Sequence, residues 1–272
     1  MLYQPQILEE ALTLKADLGG DVDALAGGTD LLVALSRGQW RPKNVLDLSR
    51  VVERSEIRKA DSRFSLAHGV THAQLTRLPV RALAEAALSI GGPQIRNRGT
   101  LAGNLGTASP AGDGCVALLA LHAEMELTRA GRGSRRLPVR DFFLDYRRTE
   151  LRPEELITRV VVPADWTSAW HKIGKRGSVN ISVVCAAVAR SPQGRFGVAF
   201  GSVGPYPLTA PKTEALLNAA ALTPELIDEA AAMAQTEVSP ISDHRASAAY
   251  RRAMCGTLLR RLLTEHFLNG RD

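Results

Sequence analysis

Cysteine is scarce: the chain has three in 272 residues, Cys115, Cys185 and Cys255, far apart from one another. That spacing excludes a CxxC clip for zinc or a local thiolate set for an iron–sulfur cluster, and it reads as buried free thiols. No apolar run approaches the ~20 residues of a membrane span. The opening MLYQPQILEEALTLKADLGG lacks the basic start and continuous apolar centre of a signal peptide, so the expectation is a cytoplasmic protein with no membrane association. GxGxxG after the first strand, GxxxxGK[ST] and GxSxG are all missing. Their absence disfavours the usual nicotinamide and ATP folds and leaves a hydrolase triad without a nucleophile.

The chain is otherwise of ordinary globular composition, 45% hydrophobic and 23% charged, which argues against disorder. Its formal charge of +6 is spread along the sequence apart from TRAGRGSRRLPVR, so no nucleic-acid partner is expected. ILEEALTLKADL has helical apolar spacing and stops at Gly19-Gly20. DALAGGTDLLVALSRG reads as a strand, a glycine turn and a short helix ended by Gly38, and NVLDLS as a second strand, which together favour a small parallel sheet. From residue 53 the pattern changes to paired strands turning near Asp61-Ser62, the helix RALAEAALSIG, a buried helix in PAGDGCVALLALHA and a hairpin in EMELTRAGRGSRRLPVRDFF. Ser109 is expected to cap that buried helix, with Pro110 in its first position. After the strand ELITRVVVP a boundary is expected at ADWTSA, followed by a hairpin turning at Pro192 to Gly194 and two helices over 212–235 and 243–268.

Two glycine turns, each ahead of a predicted helix, carry the functional signal. In AGGTDLL a strand runs into Gly27-Gly28 and then a helix, a geometry in which backbone N–H groups suit a phosphate. IRNRGTLAGNLGTASPAGDG, residues 95–114, packs five glycines with Thr100, Asn104, Thr107 and Asp113, short side chains able to reach a ligand the glycines admit. A dinucleotide, with its diphosphate and its hydroxyls, needs both kinds of group. His68 and His72 read as structural, with no third metal ligand near. HKIGKRGSVNIS places Lys172, Lys175 and Arg176 ahead of a strand, either as a basic loop or as a cation facing an electron-rich cofactor.

These motifs resemble the FAD-binding medium subunit, or domain, of the molybdenum hydroxylases, typified by xanthine dehydrogenase and carbon monoxide dehydrogenase. LAGGTDLL is similar to the family's first flavin motif and QIRNRGTLAGNLGTASPAGD to its second. THAQL, RLPVRDFFLDYRRTELRPEELITRVVVP, the HKIGKR segment and DHRASAAYRRAMCGTLLRRLL follow in family order, so the resemblance spans essentially the whole chain. It implies an α+β fold: a two-subdomain FAD-binding unit over 1–165, divided at about 52/53 into a small parallel βα piece and a larger antiparallel piece, then a C-terminal α+β domain over 166–272. It implies FAD as cofactor, held through Ala26, Gly27, Gly28, Thr29, Asp30, Leu31, Thr100, Gly103 and Asn104 around the diphosphate. Thr107 and Asp113 are implied for the ribose and ribityl hydroxyls, and the Ile157 backbone and Lys172 for the isoalloxazine. No catalytic acid or base and no metal ligand is implied, since the flavin does the redox work.

The same resemblance implies an iron–sulfur subunit and a molybdopterin subunit as partners, with electrons leaving FAD for NAD+, oxygen, a quinone or another carrier. A xanthine dehydrogenase-like complex is the reading preferred. The alternatives are a stand-alone FAD-dependent NADH reductase and a flavin-less structural paralogue. Two departures stand out: Ala102-Gly103 replaces a common glycine pair, bringing a methyl close to the expected phosphate, and Asn180 replaces a common aspartate.

Overall fold

The computed structural model describes residues 1–177 and 179–268; Ser178, in the HKIGKRGSVNIS segment, and residues 269–272 lie outside them. The chain begins with β1 (Leu2–Tyr3), α1 (Leu8–Leu18), β2 (Val22–Leu25), α2 (Leu31–Ser36) and β3 (Asn44–Asp47). The three strands form a parallel sheet in the order β1-β3-β2. Its core is Ala11, Leu12, Val22, Leu46, Leu48 and Val51, joined by Leu156 from later in the chain. Lys15, buried in α1, donates to the Gly19 carbonyl at 3.0 Å, which satisfies a carbonyl at the helix end, and to the Val22 carbonyl of β2 at 2.7 Å, which ties the helix to that strand.

The second piece contains β4 (Ile57–Ala60), β5 (Arg63–Ala67), α3 (His72–Leu75), α4 (Arg81–Ser89), α5 (Pro93–Arg98), α6 (Leu101–Thr107) and α7 (Asp113–Ala120), then β6 (Glu124–Arg129), β7 (Gly133–Pro138), β8 (Phe143–Asp145), β9 (Arg148–Thr149) and β10 (Leu156–Pro163). Five strands make an antiparallel sheet ordered β4-β5-β10-β6-β7, with a bulge in β10 between Ile157 and Arg159. The third piece is β11 (Thr167–Ile173), β12 (Val184–Arg190), β13 (Phe196–Gly201) and β14 (Leu208–Thr209), sequential neighbours in one sheet, followed by α8 (Pro211–Leu217), α9 (Pro224–Thr236) and α10 (Ala248–Leu263).

The third sheet is covered on both faces, and its residues divide by the period of two that a strand imposes. Ala169, Val184, Ala186, Val188, Val198 and Phe200 pack toward α8–α10. Trp170, Cys185, Ala187, Ala189 and Ala199 join the core built on α4 and α7. A Cβ on Gly197 would lie 2.1 Å from the Ala120 carbonyl, so glycine is what lets the end of α7 sit directly on β13. The hydrophobic core therefore runs unbroken across the ADWTSA segment.

Several local expectations are corrected. The 95–107 stretch is largely helical rather than a turn: Thr100 caps α6 by accepting from the Gly103 N–H at 3.0 Å, and Leu101, Ala102 and Leu105 bury one face. Ser109 and Pro110 do not start α7; the Gly112 N–H bonds the Ser109 carbonyl in a turn, and the helix begins at Asp113 with Gly112 as its cap. Residues 212–235 form two helices, because Thr223 caps a new one whose first residue is Pro224. The last helix starts at Ala248, not 243, and passes into a π turn over Thr264–Leu268. Its arginines do not all face water: Arg251 is buried against Asp243 at 2.7 Å and the Ser202 carbonyl at 2.7 Å.

Candidate functional site

The two motifs meet. A Cβ on Gly27 would fall 2.1 Å from the Arg98 carbonyl oxygen and 2.9 Å from the Gly99 Cα. Only glycine permits that approach, so the end of β2 lies against the link between α5 and α6. Thr29 reaches the same link, its Oγ1 facing the α-carbon of Gly99. Thr107 Oγ1, at the end of α6, lies 2.9 Å from the Gly103 carbonyl and 3.3 Å from Asp30 Oδ2. Gly28 takes φ +78°, and its carbonyl opens α2 by accepting from the Leu32 N–H. Among the described residues, the backbone N–H groups of Gly28, Thr29 and Asp30 have no acceptor in the chain. A cradle of spare N–H donors under a glycine turn suits an oxyanion such as a diphosphate.

Behind the turn is a cavity of about 50 Å³, walled by Ala26, Gly27 and Thr100 from the motifs and by Ser49, Arg54, His68 and Arg98, among others. Asn104 is turned toward α7: Cys115 Sγ lies 3.5 Å from its Oδ1, and a Cβ on Gly114 would meet the same oxygen at 2.9 Å. The Ala102 side chain is buried in the core against its neighbours, so the expected methyl near the phosphate is absent from the cradle. Ile157 sits beside the β10 bulge, paired with Leu127 and buried, on the strand against which α6 packs.

Asp113 and Lys172 form a second cluster at the joint between α7 and β11. Lys172 Nζ donates to Asp113 Oδ2 at 2.8 Å, the Ser89 carbonyl at 3.0 Å and the Asn180 carbonyl at 3.3 Å, which uses all three ammonium hydrogens. Asp113 also accepts from Ser182 Oγ at 2.5 Å and Ser89 Oγ at 3.1 Å. The side chains of the pair are 10% and 6% exposed. From there hydrogen bonds continue inward, Ser202 Oγ to the Ser182 carbonyl and Arg251 to the Ser202 carbonyl, and so reach α10. Lys172 also borders an open cavity of about 510 Å³ with Trp170, His171, Lys175 and Arg176 in its wall.

The structure thus joins the Ala26–Leu31 and Thr100–Thr107 residues in one cradle and places Asp113 and Lys172 in an ion pair of their own. Ser89 and Ser182, which hold Asp113, carry no sequence signal; Ser182 follows the HKIGKR segment and Ser89 ends a predicted helix. The thiols are inert at neutral pH: burial raises Cys115 and Cys185 well above the ordinary range and pushes Cys255 up to about 12. Among the described residues no cluster of metal-ligating side chains exists, and no helix is long and apolar enough to cross a membrane.

Comparison with known proteins identifies the family. Residues 1–165 match the family described as the FAD binding domain in molybdopterin dehydrogenase, and residues 169–266 match the CO dehydrogenase flavoprotein C-terminal domain. The chain is 32% identical to the nicotinate dehydrogenase FAD-subunit of Eubacterium barkeri, over 97% of this chain and 94% of that one. It is 29% identical to a putative xanthine dehydrogenase FAD-binding subunit of Escherichia coli, over 97% and 94% respectively. Among solved structures, a carbon monoxide dehydrogenase from Hydrogenophaga pseudoflava superposes with a TM-score of 0.91 at 31% identity, covering 98% of this chain and 96% of that one. With the glycine cradle in place and both segments matched, the chain belongs to the FAD-binding flavoprotein family of the molybdopterin dehydrogenases, an oxidoreductase subunit whose cofactor is FAD.

Proposed function

We propose that this chain is the electron-transferring flavoprotein subunit of a molybdenum hydroxylase complex, working with an iron–sulfur subunit and a molybdopterin subunit. Bound FAD would supply the redox chemistry, linking electrons from substrate hydroxylation to NAD+ or another acceptor. The observation that carries the site is the contact of Gly27 with the Arg98–Gly99 backbone, which brings both flavin motifs to one cradle. The N–H groups of Gly28, Thr29 and Asp30 bind the diphosphate, and the fixed turn orients it, with Thr100 supplying a hydroxyl hydrogen that its role as helix cap leaves unused. Thr107, Asn104 and Gly103 line the α6 side, and Ala26 and Leu31 the strand and helix that flank the turn.

Lys172 and Asp113 act at the flavin end as a paired charge. Because Asp113 neutralises most of it, Lys172 tunes the flavin's potential more weakly than an isolated ammonium would. Ile157 shapes the floor from β10. A xanthine dehydrogenase-like complex remains the preferred assignment, supported by likeness to the Escherichia coli subunit. The test is co-expression with candidate partner subunits, followed by anaerobic addition of xanthine, nicotinate or carbon monoxide while the visible absorbance of the bound flavin is followed. Bleaching by xanthine, reversed by NAD+, is the expected result. Bleaching by another of the three substrates reassigns the complex, and a chain that never co-purifies with partners removes the subunit role.

A further inference from the structure

The cavity behind the Gly27 turn contains a group that the motifs do not account for. His68 directly follows β5, is 4% exposed, and is fixed through its backbone N–H to the Thr158 carbonyl at 3.0 Å. Its Nε2 is buried with no partner among the described residues, and the Leu48 backbone beside the ring favours an N–H turned toward it. With that N–H assigned to Nδ1, Nε2 presents a lone pair. Burial, with the charges of Arg54 and Arg159, keeps the ring neutral by lowering its pKa to about 4. A buried acceptor with no donor among the described residues is unfavourable, so a ligand O–H or N–H is its natural partner.

Arg54 and Arg98 also wall this cavity, and among the described residues neither guanidinium forms an ion pair. One neutral acceptor beside two guanidinium groups that no carboxylate pairs directly asks for a ligand that carries both a hydrogen-bond donor and negative charge. The space, about 50 Å³, holds on the order of four water-sized groups. That is too little for a flavin or adenine ring and enough for the edge of a sugar.

We infer that this cavity receives the ribose-phosphate edge of the adenylate half of the dinucleotide, with a ribose hydroxyl donating to His68 Nε2 and with Arg54 and Arg98 facing the phosphate. His68 is then a selectivity residue for FAD over FMN rather than a purely structural one. The inference rests on FAD being the cofactor, so its test must separate the two. The full chain, stripped of flavin, is titrated with FAD and with FMN by flavin fluorescence, and ADP and 2′,3′-dideoxy-ADP are used as competitors of FAD. His68→Leu weakens FAD about tenfold and leaves FMN unchanged, while His68→Gln, which retains an acceptor, stays close to the parent chain. On the parent chain ADP competes about tenfold better than its dideoxy analogue, and His68→Leu abolishes that preference.

A parent chain that takes up no FAD overturns both the cofactor assignment and this inference. A parent chain that binds FAD, with ADP and dideoxy-ADP competing equally, overturns the inference alone. So does a His68→Leu variant with unchanged affinity for FAD. If His68→Leu does not fold, the comparison of the two competitors on the parent chain decides.

Discussion

Replacing Lys172 with methionine keeps the length and apolar stem of the side chain and removes its ammonium. What remains is a carboxylate, Asp113, whose side chain is 6% exposed and which, among the described residues, keeps the hydroxyls of Ser89 and Ser182 as donors. Removing one partner of a buried ion pair costs about 3–5 kcal/mol, because the survivor stays desolvated without compensation. Against a total stability of roughly 5–15 kcal/mol, that is a fifth or more of the margin. Asp113→Asn should cost less, since the ammonium keeps the Ser89 and Asn180 carbonyls. The double variant should be more stable than Lys172→Met alone, with a coupling of about 1.5–3 kcal/mol. The assay is urea unfolding of the four proteins by far-UV circular dichroism, comparing midpoints at constant slope. A coupling under about 0.5 kcal/mol, or a Lys172→Met variant within about 1 kcal/mol of the parent chain, would refute the reasoning, because it would mean that Lys172 and Asp113 do not face each other in solution.

Gly27→Ala places a methyl 2.1 Å from the Arg98 carbonyl; the two motifs must separate, and the purified variant should be colourless while retaining its circular dichroism spectrum. Two buried histidines make stability depend on pH. His68 and His72 are both held near 4 by burial and nearby arginines, against 6.5 when unfolded, so the unfolded chain binds the extra protons. Their contribution is present above pH 6.5 and declines as pH falls toward 4, the loss amounting to about 2 kcal/mol each by pH 5. Urea midpoints measured at pH 7 and pH 5 should therefore fall less for His68→Gln than for the parent chain. Asp243→Ala leaves Arg251, 4% exposed, without its carboxylate and should lower stability by about 3–5 kcal/mol, which a thermal melt would register.

The strands and the position of the cradle are legible in the sequence because their signals are local. The continuous apolar runs VVCAAVA and FGVAF, parted by the turn residues SPQG, announce the β12–β13 hairpin, and each glycine motif adjoins a predicted helix. The helicity of α6 is hidden because Gly103 and Gly106 lower its propensity, and only burial of Leu101, Ala102 and Leu105 against the core overrides that. The break between α8 and α9 is written in Thr223-Pro224, a cap followed by a first-turn proline, but an apolar pattern running through both helices masks it. The pairing of Asp113 with Lys172 is of another kind. It joins residues 59 apart, on a helix and on a strand of another sheet, and no periodicity reports such a meeting. The same holds for His68: a lone histidine at a strand end says nothing of the cavity that the small parallel sheet completes around it.

Sheet β11–β14, filled on one face by helices made earlier and on the other by helices made later, bears on how the protein comes off the ribosome. Translation at ~5–20 residues per second leaves α4 and α7 complete while about eighty residues, or on the order of 4–16 seconds of synthesis, still separate the end of α7 from the end of its cover in β13. For that interval the nascent chain displays an apolar surface that only its own continuation fits. A gene split at the ADWTSA segment would therefore yield two fragments that are each sticky alone and soluble only when made together, and the order of the two halves in one reading frame is itself a folding device.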